Sequence, residues 1–330
     1  MIRNLATLLT CFTLGLTGTS YAECVGTDQL LGADPSVQKR MATEAAAQLY
    51  PEGRYWEVEK NGRSSVLFGT FHSPDADIAI VPDALAERIE NARVLYVEMS
   101  QAEEQRMQRA MILNPSMMLN PDGRSIRPYF SDEEWEDLGA AMARIGHSPE
   151  SIEVMQPWFL SMALAIPPCL IEAQLRGDLV LDRVIERAAE NAGIEVGGLE
   201  EYEAVLDIFR DGSFEEQIEA LRQSLPLIDG NQDALVTMKR LYLDGDIWQI
   251  WAYNSLLAEE HLPPEEVEQM MAEMLDIVVR KRNNDWMRRI LPEVTRGNAV
   301  IAVGALHLPG EDSLLNMLAQ QGFETRALDE

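Results

Sequence analysis

Gly-x-x-His occurs twice, near opposite ends of the chain, as Gly69-Thr70-Phe71-His72 and Gly304-Ala305-Leu306-His307. Each copy closes a short apolar run, Ser65 to Phe68 in one case and Ala299 to Val303 in the other. Continuous apolar runs of this length, rich in β-branched residues, are expected of strands buried on both faces of an α/β sheet. Each histidine would then emerge just beyond the C-terminal end of a strand, the edge at which open α/β sheets place ligands. A third run, Arg93 to Val97, ends the same way in Glu98. Two imidazoles and a carboxylate at one edge suit a divalent metal ion.

The first residues predict a secretion signal over 1–22. Arg3 supplies the positive start, Leu5 to Leu16 an apolar stretch of 12 residues, and Ser20-Tyr21-Ala22 a small-x-small cleavage site. Twelve residues are too few to span a bilayer as a helix, and Glu23 before Cys24 does not fit a lipidation signal. The expected product is a periplasmic or secreted protein with no stable membrane anchor after cleavage. With 27 basic residues against 55 acidic ones the formal net charge is −28, and loss of Arg3 makes it one unit more negative. That charge repels nucleic acid and anionic membrane surfaces. Cleavage also removes Cys11, leaving Cys24 and Cys169. In an oxidising compartment an even pair is expected to form a disulfide, the alternative being two buried thiols.

Residues 23–330 are expected to form a single α/β domain. Tyr55 to Lys60 alternates apolar and polar residues, and Asn61-Gly62 supplies a type I′ hairpin turn into the strand ending at His72. Pro82 to Asn91 predicts a helix leading to the strand that ends in Glu98, a βαβ unit whose two strands are expected side by side and parallel. Helical insertions follow at about 100–190 and 203–291, separated by a strand over Ile194 to Leu199 that ends in Glu200. Ser131-Asp132-Glu133-Glu134 is a capping box, and Gly146 is a helix stop. A strand from Ala299, a helix over Ser313 to Gln320 and a strand over Phe323 to Ala327 close the chain. The fold class is therefore α/β, a mixed and mostly parallel central sheet flanked by helices.

Each candidate residue has a plain structural alternative. A lone Gly-x-x-His is most simply a hydrogen-bonded histidine at a strand end; the paired placement favours function for His72 and His307. Glu98 could be a surface acid one residue past a buried strand, yet a carboxylate ending so apolar a run is costly without a partner. Glu200 has the same placement with an acidic neighbour. Arg282 and Asn283 lie in a basic run, Arg280 to Trp286, inside an acidic chain. That run is either a helix surface with Trp286 packed inward or a place where Arg282 orients a carboxylate or a substrate anion. His147 and His261 sit at helix ends as ordinary capping or surface residues. The chain has no Gly-x-Ser-x-Gly elbow, no His-Glu-x-x-His and no P-loop.

Taken together, Leu67 to His72, Tyr96-Val97-Glu98, Gly198-Leu199-Glu200, Gly245-Asp246, Arg282-Asn283 with Trp286, and Val303 to Leu308 resemble the TraB/PrgY/GumN family, which includes the Tiki metalloproteases. Cys24 to Asp28 is similar to the start of its exported GumN-like branch. The resemblance implies a fold like that of the erythromycin esterase and ChaN-like proteins. It implies His72, Glu98 and His307 as the catalytic or metal-binding set, with Glu200, Arg282 and Asn283 in support. The expected activity is that of an exported metal-dependent hydrolase, a peptidase, acting on a peptide or small molecule with Zn²⁺, Mn²⁺ or Co²⁺. A metal-free form, with His72 as general base of an esterase-like reaction, is nested in that expectation. The alternative is a non-catalytic periplasmic binding protein that sequesters a peptide, haem or metal.

Overall fold

The computed structural model describes residues 24–120, 122–225 and 231–329; the predicted leader over 1–22 lies outside them. Six strands form one sheet in the order β4-β3-β5-β2-β1-β6. They span Tyr55–Lys60 (β1), Arg63–Thr70 (β2), Val94–Val97 (β3), Glu195–Gly198 (β4), Ala299–Gly304 (β5) and Glu324–Ala327 (β6). Asn61 at φ 55° and Gly62 at φ 73° make the left-handed turn that joins β1 to β2 antiparallel, as the Asn-Gly pair predicts. The predicted helix before β3 runs over Asp83–Glu90. Ser131 and Glu134 cap the helix Asp132–Ala143 reciprocally.

β2, β3, β4 and β5 are mutually parallel, whereas β1 runs antiparallel to both β2 and β6. One expectation is corrected. β2 and β3 are parallel but not neighbours, because β5, the fifth strand in sequence, is inserted between them. A crossover helix fixes the direction of the next strand but not whether a later strand enters the gap.

Period-two alternation distributes the strands over two cores. Val66, Phe68, Leu95, Val97, Val300 and Ala302 share one apolar cluster with Leu85, Ile89, Leu181 and Ile185 of covering helices. Leu67, Val94, Ile301 and Val303 share the other with Trp286, Ile290 and Val294 of the helix Arg282–Arg296. Helical cover on both faces explains why these strands read as unbroken apolar runs. A third cluster lies wholly within the insertions and joins them, from Ile126, Leu138, Met142 and Leu160 to Ile218 and Leu221. Cys24 and Cys169 are disulfide-bonded, with Cα atoms 5.4 Å apart. The bond ties the start of the described chain to the helix Pro168–Arg176. Among the described residues no single helix is long and apolar enough to cross a membrane.

Candidate active site at the sheet edge

Parallel strands in register deliver their following residues to one edge. Thr70 pairs with Gly304, and Val97 pairs with Ala302 on one side and Gly198 on the other. Across the sheet the strand exits therefore carry Glu200, Glu98, His307 and His72 in that order. The two glycines of the repeated motif do different work. A Cβ at Gly69 would stand 2.8 Å from the Ala305 Cα, so its absence lets β2 lie against the 3₁₀ turn Ala305–His307. A Cβ at Gly304 would stand 3.0 Å from Glu98 Oε1, 3.5 Å from His72 Nε2 and 3.6 Å from His307 Cδ2. Gly304 thus faces the centre of the cluster, and the two histidines share one site.

His307 is buried. Its Nδ1 lies 2.7 Å from Asn283 Oδ1. Its ring packs on Trp286 with centroids 4.4 Å apart. Asn283, fully buried, donates from Nδ2 to the Asp312 carbonyl at 2.8 Å. Its amide oxygen is therefore left to accept from His307 Nδ1–H, and the Nε2 lone pair points into the site. Burial pushes the His307 imidazole down to about 3, with the Arg282 charge adding to the effect against the pull of Glu98. At neutral pH it is uncharged.

His72 differs in exposure and in charge. Its side chain is 58% accessible, and its Nδ1 lies 2.9 Å from Asp182 Oδ2. Asp182 is buried, and its other oxygen accepts from Thr70 Oγ1 at 2.7 Å. The Asp182 charge pushes the His72 imidazole up, to about 9, against the opposing effect of burial. Water on the open side of the ring screens the pair and moderates that rise. Burial works against the Asp182 charge, but His72 and the Thr70 hydroxyl hold its carboxyl below the usual range.

Glu98, Glu200 and Arg282 form the remainder. Arg282 Nη2 donates to Glu98 Oε2 at 2.6 Å and also to Glu200 Oε1. Arg282 Nε donates to Glu200 Oε2 at 3.2 Å, and Nη1 stands 3.3 Å from His307 Nε2. The guanidinium lies over the Trp286 ring, 4.6 Å from its centroid, and Trp286 Nε1 donates to Glu200 at 3.2 Å. Arg282 opens the helix Arg282–Arg296 directly after a π-helical segment, Asp276–Lys281. Such segments recur at functional sites. Spacing of one turn puts Arg282 and Trp286 on the same helix face. Burial disfavours the Glu98 charge, but Arg282, His72 and the Gly304 N–H at 2.6 Å hold Glu98 well below the usual carboxylate range. Burial raises Glu200, and Arg282 only partly offsets it. For Arg282 burial is overcome by the two carboxylates, so it stays charged.

All six residues expected from the sequence, His72, Glu98, Glu200, Arg282, Asn283 and His307, stand in this one network. Asp182 and Thr70 were missed. Thr70 lies inside Gly69-Thr70-Phe71-His72, but a strand-end threonine carries no signal of its own. Asp182 does carry one: in the amphipathic helix Leu181–Asn191 it falls on the face of Leu181, Ile185 and Ala189, all buried. A carboxylate on that face needs a partner.

The sequence profile of the TraB/PrgY/gumN family matches residues 55–327, from the first residue of β1 to the last of β6. The chain belongs to the TraB/PrgY/gumN family. It is 26% identical over 260 residues to the uncharacterized protein YbaP of Shigella flexneri, covering 78% of this chain and 88% of that one. It is also 26% identical over 256 residues to YbaP of Escherichia coli K12, covering 76% and 86%. The matched stretch includes every residue of the network, Asp182 and Thr70 among them.

The metal ion that family resemblance implies can be tested against this donor set. In favour, Asp182 and Asn283 occupy both Nδ1 atoms and leave both Nε2 atoms towards Glu98, at 3.9 Å for His72 and 3.6 Å for His307. Against it, Glu98 Oε1 is taken by the Gly304 N–H, while Glu98 Oε2 and the His307 Nε2 lone pair face the charged Arg282. An ion needs its ligand lone pairs directed at one point about 2.1 Å away. Here a side-chain cation fills the space between them, and among the described residues no group of three or more His, Cys, Asp or Glu stands ready to hold an ion. As arranged, the residues do not fit a metal.

Proposed function

We propose that this member of the family is an exported hydrolase of amide or ester bonds, acting on a peptide or small molecule, with His72 as its proton-transfer group. The observation that carries the reading is the His72–Asp182 pair. One ring nitrogen is fixed on a buried carboxylate at 2.9 Å, and the other faces the centre of the cluster, 3.9 Å from Glu98 Oε2. That gap is too long for a direct hydrogen bond and accommodates a water about 2.8 Å from each atom.

In this reading the neutral fraction of His72, small at neutral pH and growing as pH rises towards about 9, takes a proton from the water at Nε2 as the oxygen attacks the carbonyl carbon, and Asp182 steadies the imidazolium that results. Arg282, kept charged by Glu98 and Glu200, offsets the negative charge growing on the carbonyl oxygen. The imidazolium then gives its proton to the departing nitrogen or oxygen as the bond to carbon breaks. Neutral His307 and Asn283 hold the opposite wall in place. A cavity of about 660 Å³, lined by Glu200, Arg282, Trp286, Ile208 and Arg289 among others, offers room for the rest of the substrate beside the network.

Export is supported by the leader read over 1–22 and by the Cys24–Cys169 disulfide. Cell fractionation and the mass of the mature N-terminus test it. For activity, the purified protein and its His72→Ala form are compared on fluorogenic peptides and chromogenic esters, with and without chelator. Turnover that survives chelation and disappears in His72→Ala supports the proposal. Turnover abolished by chelator would favour the metal-dependent form. A ligand that co-purifies and is never turned over would favour sequestration.

A further inference from the structure

Every nitrogen of the Arg282 guanidinium faces an atom that could instead bind a metal. Nε and Nη2 engage both oxygens of Glu200, Nη2 engages Glu98 Oε2 at 2.6 Å, and Nη1 stands 3.3 Å from His307 Nε2. The Asn283 amide oxygen, 2.7 Å from His307 Nδ1, keeps that Nε2 lone pair aimed inward. We propose that Arg282 is the site's resident cation and closes a latent divalent-ion site formed by Glu98, Glu200 and His307.

Two features explain why a guanidinium holds the place. Its Cζ lies over the Trp286 ring, 4.6 Å from the centroid, a contact that favours a flat, weakly hydrated cation over a compact ion with bound water. Its fork also serves two carboxylates at once. Without it, two buried carboxylates and an imidazole lone pair would face one another uncompensated, which is costly until a cation enters. Two oxygen donors and one nitrogen suit Zn²⁺, Mn²⁺ or Co²⁺.

The test needs no turnover, so its failure and that of the hydrolase reading are separate events. Full-length wild type, Arg282→Ala and Arg282→Met are equilibrated with Zn²⁺ or Mn²⁺, desalted, and analysed for metal per chain and for melting temperature. The wild type should retain well under one ion per chain. The two variants should each retain about one, melt higher with the ion than with chelator, and lose it when Glu98→Gln is added. Variants that fold only when refolded with the ion give the same answer. A wild type that retains about one ion per chain, lost in His307→Ala, would overturn the proposal whatever the variants do. Folded Arg282 variants with no bound ion would overturn it equally, as would variants that fail to fold both with and without the ion.

Discussion

Replacing Asp182 by Asn changes one atom type and isolates what the buried carboxylate does for His72. The Thr70 hydroxyl donates to Asp182 Oδ1 at 2.7 Å, and an amide oxygen there can still accept it. The amide NH₂ must then face His72 Nδ1, where the carboxylate oxygen stood at 2.9 Å. The ring nitrogen is thereby forced to accept, and the neutral imidazole carries its proton on Nε2, the atom that faces the site. Such a ring cannot take a proton from water, so Asp182→Asn should lose the contribution of general-base catalysis, about 10²–10⁴-fold in kcat, with KM little changed. The His72 titration should fall from about 9 towards 6.5 as the attraction disappears. Stability at neutral pH should drop by about 1.5–3 kcal/mol, the range for a hydrogen bond to a charged group, with the shape and the Thr70 bond kept. With four histidines in the full chain, proton–nitrogen NMR resolves each ring, its pKa and its tautomer. The pair contributes stability that is whole below 6.5 and fades as pH rises through about 9, and the variant should lack that slope. An Asp182→Asn protein whose His72 titrates as in the wild type, and which turns over substrate at an unchanged rate, would refute the pairing argument.

His307 should behave in the opposite sense. Its folded value of about 3 lies below its ordinary 6.5, so its contribution to stability is present above 6.5 and is lost as pH falls towards 3. Denaturant titrations of His307→Gln should show a shallower acid slope and a loss at pH 7 of about 1–3 kcal/mol from the disturbed Asn283 bond. Gly304→Ala should push a methyl to 3.0 Å from Glu98 Oε1 and abolish turnover. Gly69→Ala, blocked by backbone at 2.8 Å, should cost about 1–3 kcal/mol, read as a lower denaturation midpoint. Cys24→Ser with Cys169→Ser should lower stability by up to about 5 kcal/mol, the chain-entropy value for a loop of this length. The separation is 145 residues, and an unchanged melting temperature under reductant would contradict that expectation.

Local chemistry was legible where it is self-contained. Asn61-Gly62 announces its turn, Ser131 with Glu134 its cap, and three apolar runs announce buried strands with charged or imidazole residues at their ends. What was not legible depends on contacts between segments far apart in sequence. That β5 enters between β2 and β3 is expressed in its pairing with two strands some 200 residues or more earlier, which its own apolar run does not specify. Asp182 was visible only as a misfit on an apolar helix face, and its partner lies 110 residues away. The role of Arg282 could be guessed as holding a carboxylate. That it holds two, and stands where an ion was expected, depends on Glu98 and Glu200 arriving from strand ends far away in sequence.

The placement of β5 has a consequence for the order of events on a growing chain. Synthesis delivers Glu98 long before Gly304, whose N–H it accepts across 206 residues. Until the last stretch of polypeptide appears, β2 and β3 have no strand between them and His72 has no His307 opposite. Contacts of such long range form late and slowly. A copy truncated before residue 299 should therefore be inert however well its helices form, and the finished site arises only in a completed chain.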